Sequence, residues 1–168
     1  MAKLVAGTSG VIIMFMALTL PLTVRHTTEG DIEAILRLEK STDTAEWLGP
    51  TGRDYHEASL ADPDQEHLLL FEGTELAGYA ILSGVLDGGD IELRRMVVAP
   101  AHRGKGLGHQ FVRYVVDYTK ETYACRGMWL DMKCHNDRAR KLYASEGFTS
   151  FVPARDGKLG RSYMRRKL

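Results

Sequence analysis

The sequence predicts a single α/β domain in which a mixed β-sheet is covered by helices. Three observations predict it. The 168 residues make room for one hydrophobic core, and a content of 44% apolar and 26% charged residues is that of an ordinary globular protein. Apolar runs joined by short turns dominate the first half, as in hairpins. Strands alternate with amphipathic helices in the second half.

Residues 20–26 (LPLTVRH) alternate enough for a first strand. Thr28 and Asp31 form a capping-box-like start, with Asp in place of the usual Glu, and Ile32, Ile35, Leu36 and Leu38 carry a helix to about Lys40. Residues 47–53 hold two glycines and a proline and read as a loop. A second short helix over 54–60 is closed by Asp62 and Pro63. Apolar runs at 67–71 and 76–82 flank Glu72, Gly73, Thr74 and Glu75, a hairpin signal. A turn at 87–90 leads into a strand at 91–98, stopped by Pro100. Leu107, Phe111, Val112, Val115, Val116 and Tyr118 then mark an amphipathic helix of about four turns. A strand at 128–133, a helix at 136–146 ended by Gly147, and strands at 148–152 and 161–166 complete the chain.

The first twenty residues fit poorly with this order. Lys3 precedes an apolar run at 11–20, ended by Pro21. That run is too short to span a bilayer, which takes about 20 apolar residues. It has the look of a secretory h-region but lacks a convincing small-x-small cleavage site. Residues 1–19 are therefore read as a leader, either added ahead of the domain at 20–168 or packed on it as an extra strand or helix; a membrane role is confined to the 11–20 run acting as an anchor. Cys125 and Cys134 form no disulfide framework and no zinc spacing, and both read as small buried thiols in a reducing compartment, the cytoplasm.

Net charge is zero but unevenly placed. Residues 27–92 carry 16 acidic and 3 basic residues, whereas 93–168 carry 17 basic and 6 acidic, which suggests two surfaces with different partners. Arg103, Gly104, Lys105, Gly106, Leu107 and Gly108 lie between a strand and a helix. Glycines let the backbone approach a ligand closely, and the helix start offers unpaired amides and a positive dipole end. That combination suits an anion. The glycine pattern matches neither the P-loop nor the dinucleotide-fold spacing, so alone it is equally a glycine-rich turn with a solvated basic face.

Two longer strings resolve this. IELRRMVVAPAHRGKGLG, followed by NDRARKLYASEGF, resembles the cofactor-binding half of GNAT-type N-acetyltransferases. Arg103, Gly106 and Gly108 match the family's [RQ]-x-x-G-x-[GA], and Asn136, Ala139, Leu142, Tyr143, Gly147 and Phe148 match N-x-x-A-x-x-L-Y-x-x-x-G-F. The resemblance is strong over 91–148 and looser over 20–168. It implies a largely antiparallel sheet of six to seven strands with a V-shaped splay between the strands at 91–98 and 128–133. It also implies acetyl-CoA as co-substrate, with no metal. Amides at 103–108 would hold the pyrophosphate, and the strand bearing Met96, Val97 and Val98 would pair with pantetheine. Asn136 would contact the cofactor while capping its helix.

By the same resemblance Tyr143 stands where the family places its general acid, near the sulfur, to donate a proton or position the sulfur, while on its residues alone it reads equally as a core tyrosine of an amphipathic helix. Glu92, eleven residues before Arg103, stands where some members place a general base. Glu92 reads equally as a carboxylate that attracts a cation or pairs with an arginine. Of the histidines, His135 lies nearest this site, while His26, His56, His67, His102 and His109 show no partner pattern. Trp47, Tyr55 and Tyr79 either line an acceptor pocket or are plain core. The acidic half would meet the acceptor, so the expected substrate is a cationic primary amine, an aminoglycoside-like antibiotic or a polyamine, which allows a role in antibiotic resistance. A peptide or protein amino terminus or lysine is the enzymatic alternative, and a non-catalytic acyl-CoA sensor the alternative of another class. A neutral chain whose basic residues cluster at the CoA motifs speaks against nucleic acid. A homodimer is compatible with the sequence.

Overall fold

The computed structural model describes residues 5–6, 11–15, 22–40, 42–49, 51–153 and 157–168. Among them nine strands form one sheet: β1 (Val5–Ala6), β2 (Val11–Phe15), β3 (Leu22–His26), β4 (Gln65–Glu72), β5 (Glu75–Ser83), β6 (Asp90–Val98), β7 (Gly127–Lys133), β8 (Thr149–Phe151) and β9 (Arg161–Lys167). The helices are α1 (Ile32–Glu39), α2 (Thr42–Leu48), α3 (Arg53–Ala61), α4 (Leu107–Thr122) and α5 (Asp137–Ser145). Strand order is β1-β2-β3-β4-β5-β6-β7-β9-β8, and every neighbouring pair is antiparallel except β6 with β7. From Leu22 onward this is the expected mixed, largely antiparallel sheet of seven strands, with β1 and β2 added at the β3 edge. Residues 16–21, which include the start of the predicted first strand, lie outside the described residues. No helix among the described residues is long and apolar enough to cross a membrane.

α4 and α1 each cover the face their periodicity dictates. α4 buries Leu107, Phe111, Val112, Val115 and Val116 against one face of the sheet, in a cluster with Leu68, Leu70, Leu93, Met128, Leu130 and Met164. A side chain of this kind contributes roughly 1.5–3 kcal/mol when fully buried. α1 sends Ile35 to the opposite face, where it packs with Leu69, Tyr79, Ile81 and Val97. At the α1 entry the Thr28 amide and hydroxyl both donate to the Asp31 carboxylate at 2.8 Å, so Asp serves in the capping box.

An irregularity in β6 breaks the regular ladder. Opposite β5, Ile81 pairs with Arg95 and Leu82 with Leu93, which leaves Arg94 as an extra residue in β6. This bulge inverts the alternation. Leu93 faces the α4 side before it, while Met96 and Val98 pack on that side after it. The segment 47–53 is not loop throughout, as its glycines and proline suggested: Trp47 and Leu48 close α2, Arg53 opens α3, and Gly49, Thr51 and Gly52 between them are irregular.

Candidate active site

β6 and β7 run together for three residue pairs only, Asp90 with Gly127, Ile91 with Met128 and Glu92 with Trp129. Beyond Glu92 they part. The bulge at Arg94 bends β6, as such insertions do, and its edge leaves the ladder. The opening is a cavity of about 1140 Å³ walled by Leu93, Met96, Val97 and Val98 on one side and Leu130 and Met132 on the other. This is the V-shaped splay the sequence implied.

The 103–108 loop and α5 supply further walls. Arg103, Gly104, Gly106 and Gly108 all line the cavity. Gly104 and Gly106 sit at φ of 78° and 81°, and an added Cβ would meet nothing within 4 Å. Backbone conformation, not space, therefore demands glycine there, since a left-handed residue with a Cβ costs roughly 1–2 kcal/mol. Gly106 is the N-cap of α4 and offers no side-chain acceptor, so the first-turn amides are left for a ligand. Arg103 Nε donates to the Val98 carbonyl at 2.7 Å and ties the loop to the end of β6. The turn before the loop is pinned by His102, whose Nδ1 lies 2.6 Å from the buried Glu72 carboxylate. The side chains of Lys105 and Leu107 are not on the wall: the Lys105 ammonium stands 3.9 Å from Glu72, and Leu107 is buried in the core.

Asn136 lines the cavity and accepts the Ala139 amide at 3.1 Å, capping α5. Further along α5, Tyr143 is buried, lies edge-on to Phe148 at 5.7 Å, and reaches the same wall. Burial alone pushes its phenol well above the ordinary value of 10.0, so it stays protonated and able to donate. Glu92 stands apart, at the closed vertex of the V and off the cavity wall. Burial raises its pKa; Arg94, at 3.9 Å, opposes this and Asp131 adds to it.

On the α1 side of the opening lies a polar network that no spacing in the sequence announces. Glu39 accepts hydrogen bonds from the Thr51 and Tyr79 hydroxyls, and Arg95 Nε lies 3.2 Å from it. His56 Nε2 lies 3.4 Å from Glu39, His56 Nδ1 lies 3.1 Å from His67 Nε2, and His67 Nδ1 lies 2.8 Å from the Thr27 hydroxyl. An ionised carboxylate can only accept, so the chain orders itself: Thr27 donates to His67, His67 to His56, and His56 to Glu39. Arg95 also donates to the Gly49 carbonyl at 3.3 Å, which fixes the segment after Trp47 and Leu48, both of them on the cavity wall. His56, His67 and His102 thus have partners that only the fold reveals. Tyr79 is core, while Trp47 lines the opening.

The charge asymmetry is used differently from expectation. Glu39, Glu66 and Glu72 are engaged in internal pairs. Among the described residues, the carboxylates on the cavity wall are Asp131 and Asp137, beside cationic side chains from β6, the loop, β7, α5 and β9. Cys134 is exposed and Cys125 half-buried, not both buried as their residue type suggested. No group of three metal-ligating side chains is found among the described residues.

A basic, partly apolar cleft between splayed strands, with a glycine loop at a helix start, fits a polyanionic ligand with an apolar arm and defines an α/β protein of the anion-binding class. Comparison with known proteins supplies the family. The family model described as Acetyltransferase (GNAT) family matches residues 32–148, and the chain belongs to that family. It is an acetyl-CoA-dependent acyltransferase. Among curated relatives it is similar to the N-alpha-acetyltransferase RimI of Mycobacterium tuberculosis, with 28% identity over 132 residues that cover 77% of this chain and 80% of the relative. It is similar also to the streptothricin acetyltransferase of Streptomyces lavendulae, with 31% identity over 100 residues covering 60% of this chain and 52% of the relative. The fold is shared with the spermidine N-acetyltransferase of Vibrio cholerae, solved with CoA and spermine, at a TM-score of 0.71 and 19% identity over 88% of this chain and 94% of that one.

Proposed function

We propose that the chain transfers an acetyl group from acetyl-CoA to a primary amine of a cationic small molecule, a polyamine or an aminoglycoside-like antibiotic, by direct attack in a ternary complex. The observation that carries the reading is the parting of β6 and β7 beyond Glu92, with Tyr143 on the wall of the gap. In this reading residues 20–168 are the catalytic domain, β1 and β2 ahead of it are extra strands packed on its sheet, and two free thiols suit the cytoplasm.

The residues divide the work by their chemistry. The amides of the 103–108 loop and the start of α4 hold the pyrophosphate. The free edge of β6 at Met96, Val97 and Val98 pairs with the pantetheine amides, and Asn136 borders the same arm. Acetyl-CoA supplies an activated acyl group on a thiolate leaving group. Glu92, which stands off the cavity wall, takes a proton from the acceptor ammonium through water, so that the neutral amine attacks the carbonyl. As the carbon–sulfur bond breaks, Tyr143 gives its phenolic proton to the departing thiolate and regains one from the attacking nitrogen, which sheds its extra proton to become the amide. The streptothricin and spermidine enzymes among the similar proteins support a cationic acceptor.

A second reading, a peptide amino terminus, is favoured by the cationic side chains on the wall and by the likeness to RimI. A thiol-release assay over spermine, streptothricin-type and aminoglycoside antibiotics, amino acids and peptides separates the two. Turnover confined to peptides or to neutral and anionic amines would overturn the cationic-acceptor proposal. Calorimetric binding of acetyl-CoA with no turnover on any amine would instead make the chain a sensor.

Glu92→Gln tests the base. Because the carboxyl is held above its ordinary 4.5, kcat/KM should fall with decreasing pH as Glu92 protonates, an acid limb displaced upward. The Gln variant should lose about 10²-fold at neutral pH and lack that limb. An unchanged limb in the variant would assign it to another group.

A further inference from the structure

At the closed end of the cavity, where β6 and β7 first separate, the side chains on the α4 side are Leu93 and Leu130, and Arg94 and Asp131 follow them along the two strands. The two leucines occupy the step after the last paired residues, Glu92 and Trp129. Both are buried, at 4% and 2% exposure, and both belong to the cluster that holds Tyr143. Behind them Ile91 and Met128 are paired across the strands and fully buried, so the ladder itself is the floor. A thioester whose sulfur stands near Tyr143 would turn its acyl carbons toward this apolar end.

We propose that Leu93 and Leu130 set the acyl-chain length, limiting the enzyme to a two-carbon acyl group. The inference rests on the acetyl-transfer reading and deepens it. A closed ladder cannot retreat without breaking strand pairs, so the boundary at this end is set by the side-chain volume at these two positions. Leu→Ala at either removes three carbons from the wall, and the space would accept one to two further acyl carbons. Discrimination by one methylene in an apolar pocket is about 10- to 200-fold. The native chain should therefore prefer acetyl-CoA to butyryl-CoA by at least about 10²-fold in kcat/KM, since two methylenes are involved.

The experiment measures thiol release from acetyl-, propionyl- and butyryl-CoA with one fixed amine, alongside calorimetric binding of the same three thioesters. Leu93→Ala and Leu130→Ala should each narrow the acetyl-to-butyryl ratio by about 10-fold or more. A role in packing alone would lower all three rates together and leave the ratio unmoved. Leu130→Val, which removes a single carbon, should narrow the acetyl-to-propionyl ratio and serves where an alanine variant does not fold. Equal use of butyryl-CoA by the native chain, or unchanged ratios in the variants, would overturn the proposal while leaving acetyl transfer intact. Binding of all three thioesters with equal affinity and no turnover overturns it as well. Failure to bind any of them overturns the acetyl-transfer reading itself.

Discussion

Replacing Tyr143 by phenylalanine should lower kcat by about 10²- to 10³-fold while leaving acetyl-CoA affinity near the native value, because in the proposed role the hydroxyl acts in the chemical step and not in binding. The ring is buried against Phe148 and remains so in the variant. Among the described residues no group hydrogen-bonds the hydroxyl, so its loss breaks no internal contact. Thermal stability should therefore be nearly unchanged, which separates chemistry from folding. The pH profile adds a second test. Burial holds the phenol protonated well beyond its ordinary 10.0, so the native enzyme should show no alkaline loss of activity from Tyr143 across the neutral range. A variant that keeps kcat within about threefold of native would reduce Tyr143 to a packing residue, below the range of general acid catalysis.

The second large effect is on stability. Glu39→Ala should destabilise the fold by about 3 kcal/mol or more, the usual cost of removing one member of a buried charged pair. Arg95, nearly buried, would lose its counter-charge, and Thr51 and Tyr79 would lose their acceptor. For a chain of this size each kcal/mol moves Tm by roughly 2–4 °C, so a fall of roughly 6–12 °C is expected by calorimetry. Since Arg95 also holds the segment beside Trp47, KM for the acceptor should rise more than KM for acetyl-CoA. A drop below about 1 kcal/mol would mean that the network is solvated and weak, as exposed pairs are.

Acid should unpick the same network in two stages. Burial, with the nearby His56, depresses His67 from 6.5 to about 4. The unfolded chain therefore binds this proton more readily, and stability falls as pH drops from about 6.5 toward 4. Burial would raise Glu39, but hydrogen bonds from His56, Thr51 and Tyr79 and the charge of Arg95 outweigh it and hold the carboxyl at about 2. Its contribution is present above 4.5 and is lost between there and about 2. Denaturant midpoints measured between pH 7 and pH 3 check both stages, and a flat profile above pH 4 would remove His67 from the account.

Much of the fold was legible because periodicity is local. The 3.6-residue stripe of α4, the alternation of the outer strands and the turns at 73–74 and 87–89 each declare themselves within a dozen residues. α2 was not, because Gly49 and Gly52 lie close behind a short helix whose pattern is too brief to outweigh them. The loop at 103–108 was legible for a similar reason, since its glycines answer a backbone requirement that the sequence must satisfy on the spot. Gly104 and Gly106 do meet it, at positive φ.

The buried network was beyond reach. Thr27, Glu39, His56, His67, Tyr79 and Arg95 come from four strands and two helices or their flanks, and only folding makes them neighbours. Charge counting met the same limit. It located acidic residues along the chain but could not say which of them would be taken up by internal partners.

By itself, then, the sequence determined the α/β class, the glycine loop between β6 and α4, and the two motifs that mark the family, because each is written in contiguous residues and short-range geometry. Tertiary structure alone decided where β6 leaves β7, how the bulge at Arg94 re-aims the side chains beyond it, which charges face the cleft, and that two leucines close its end. Those outcomes depend on register between distant strands, and a shift of one residue exchanges the faces of a strand without altering a letter of its sequence.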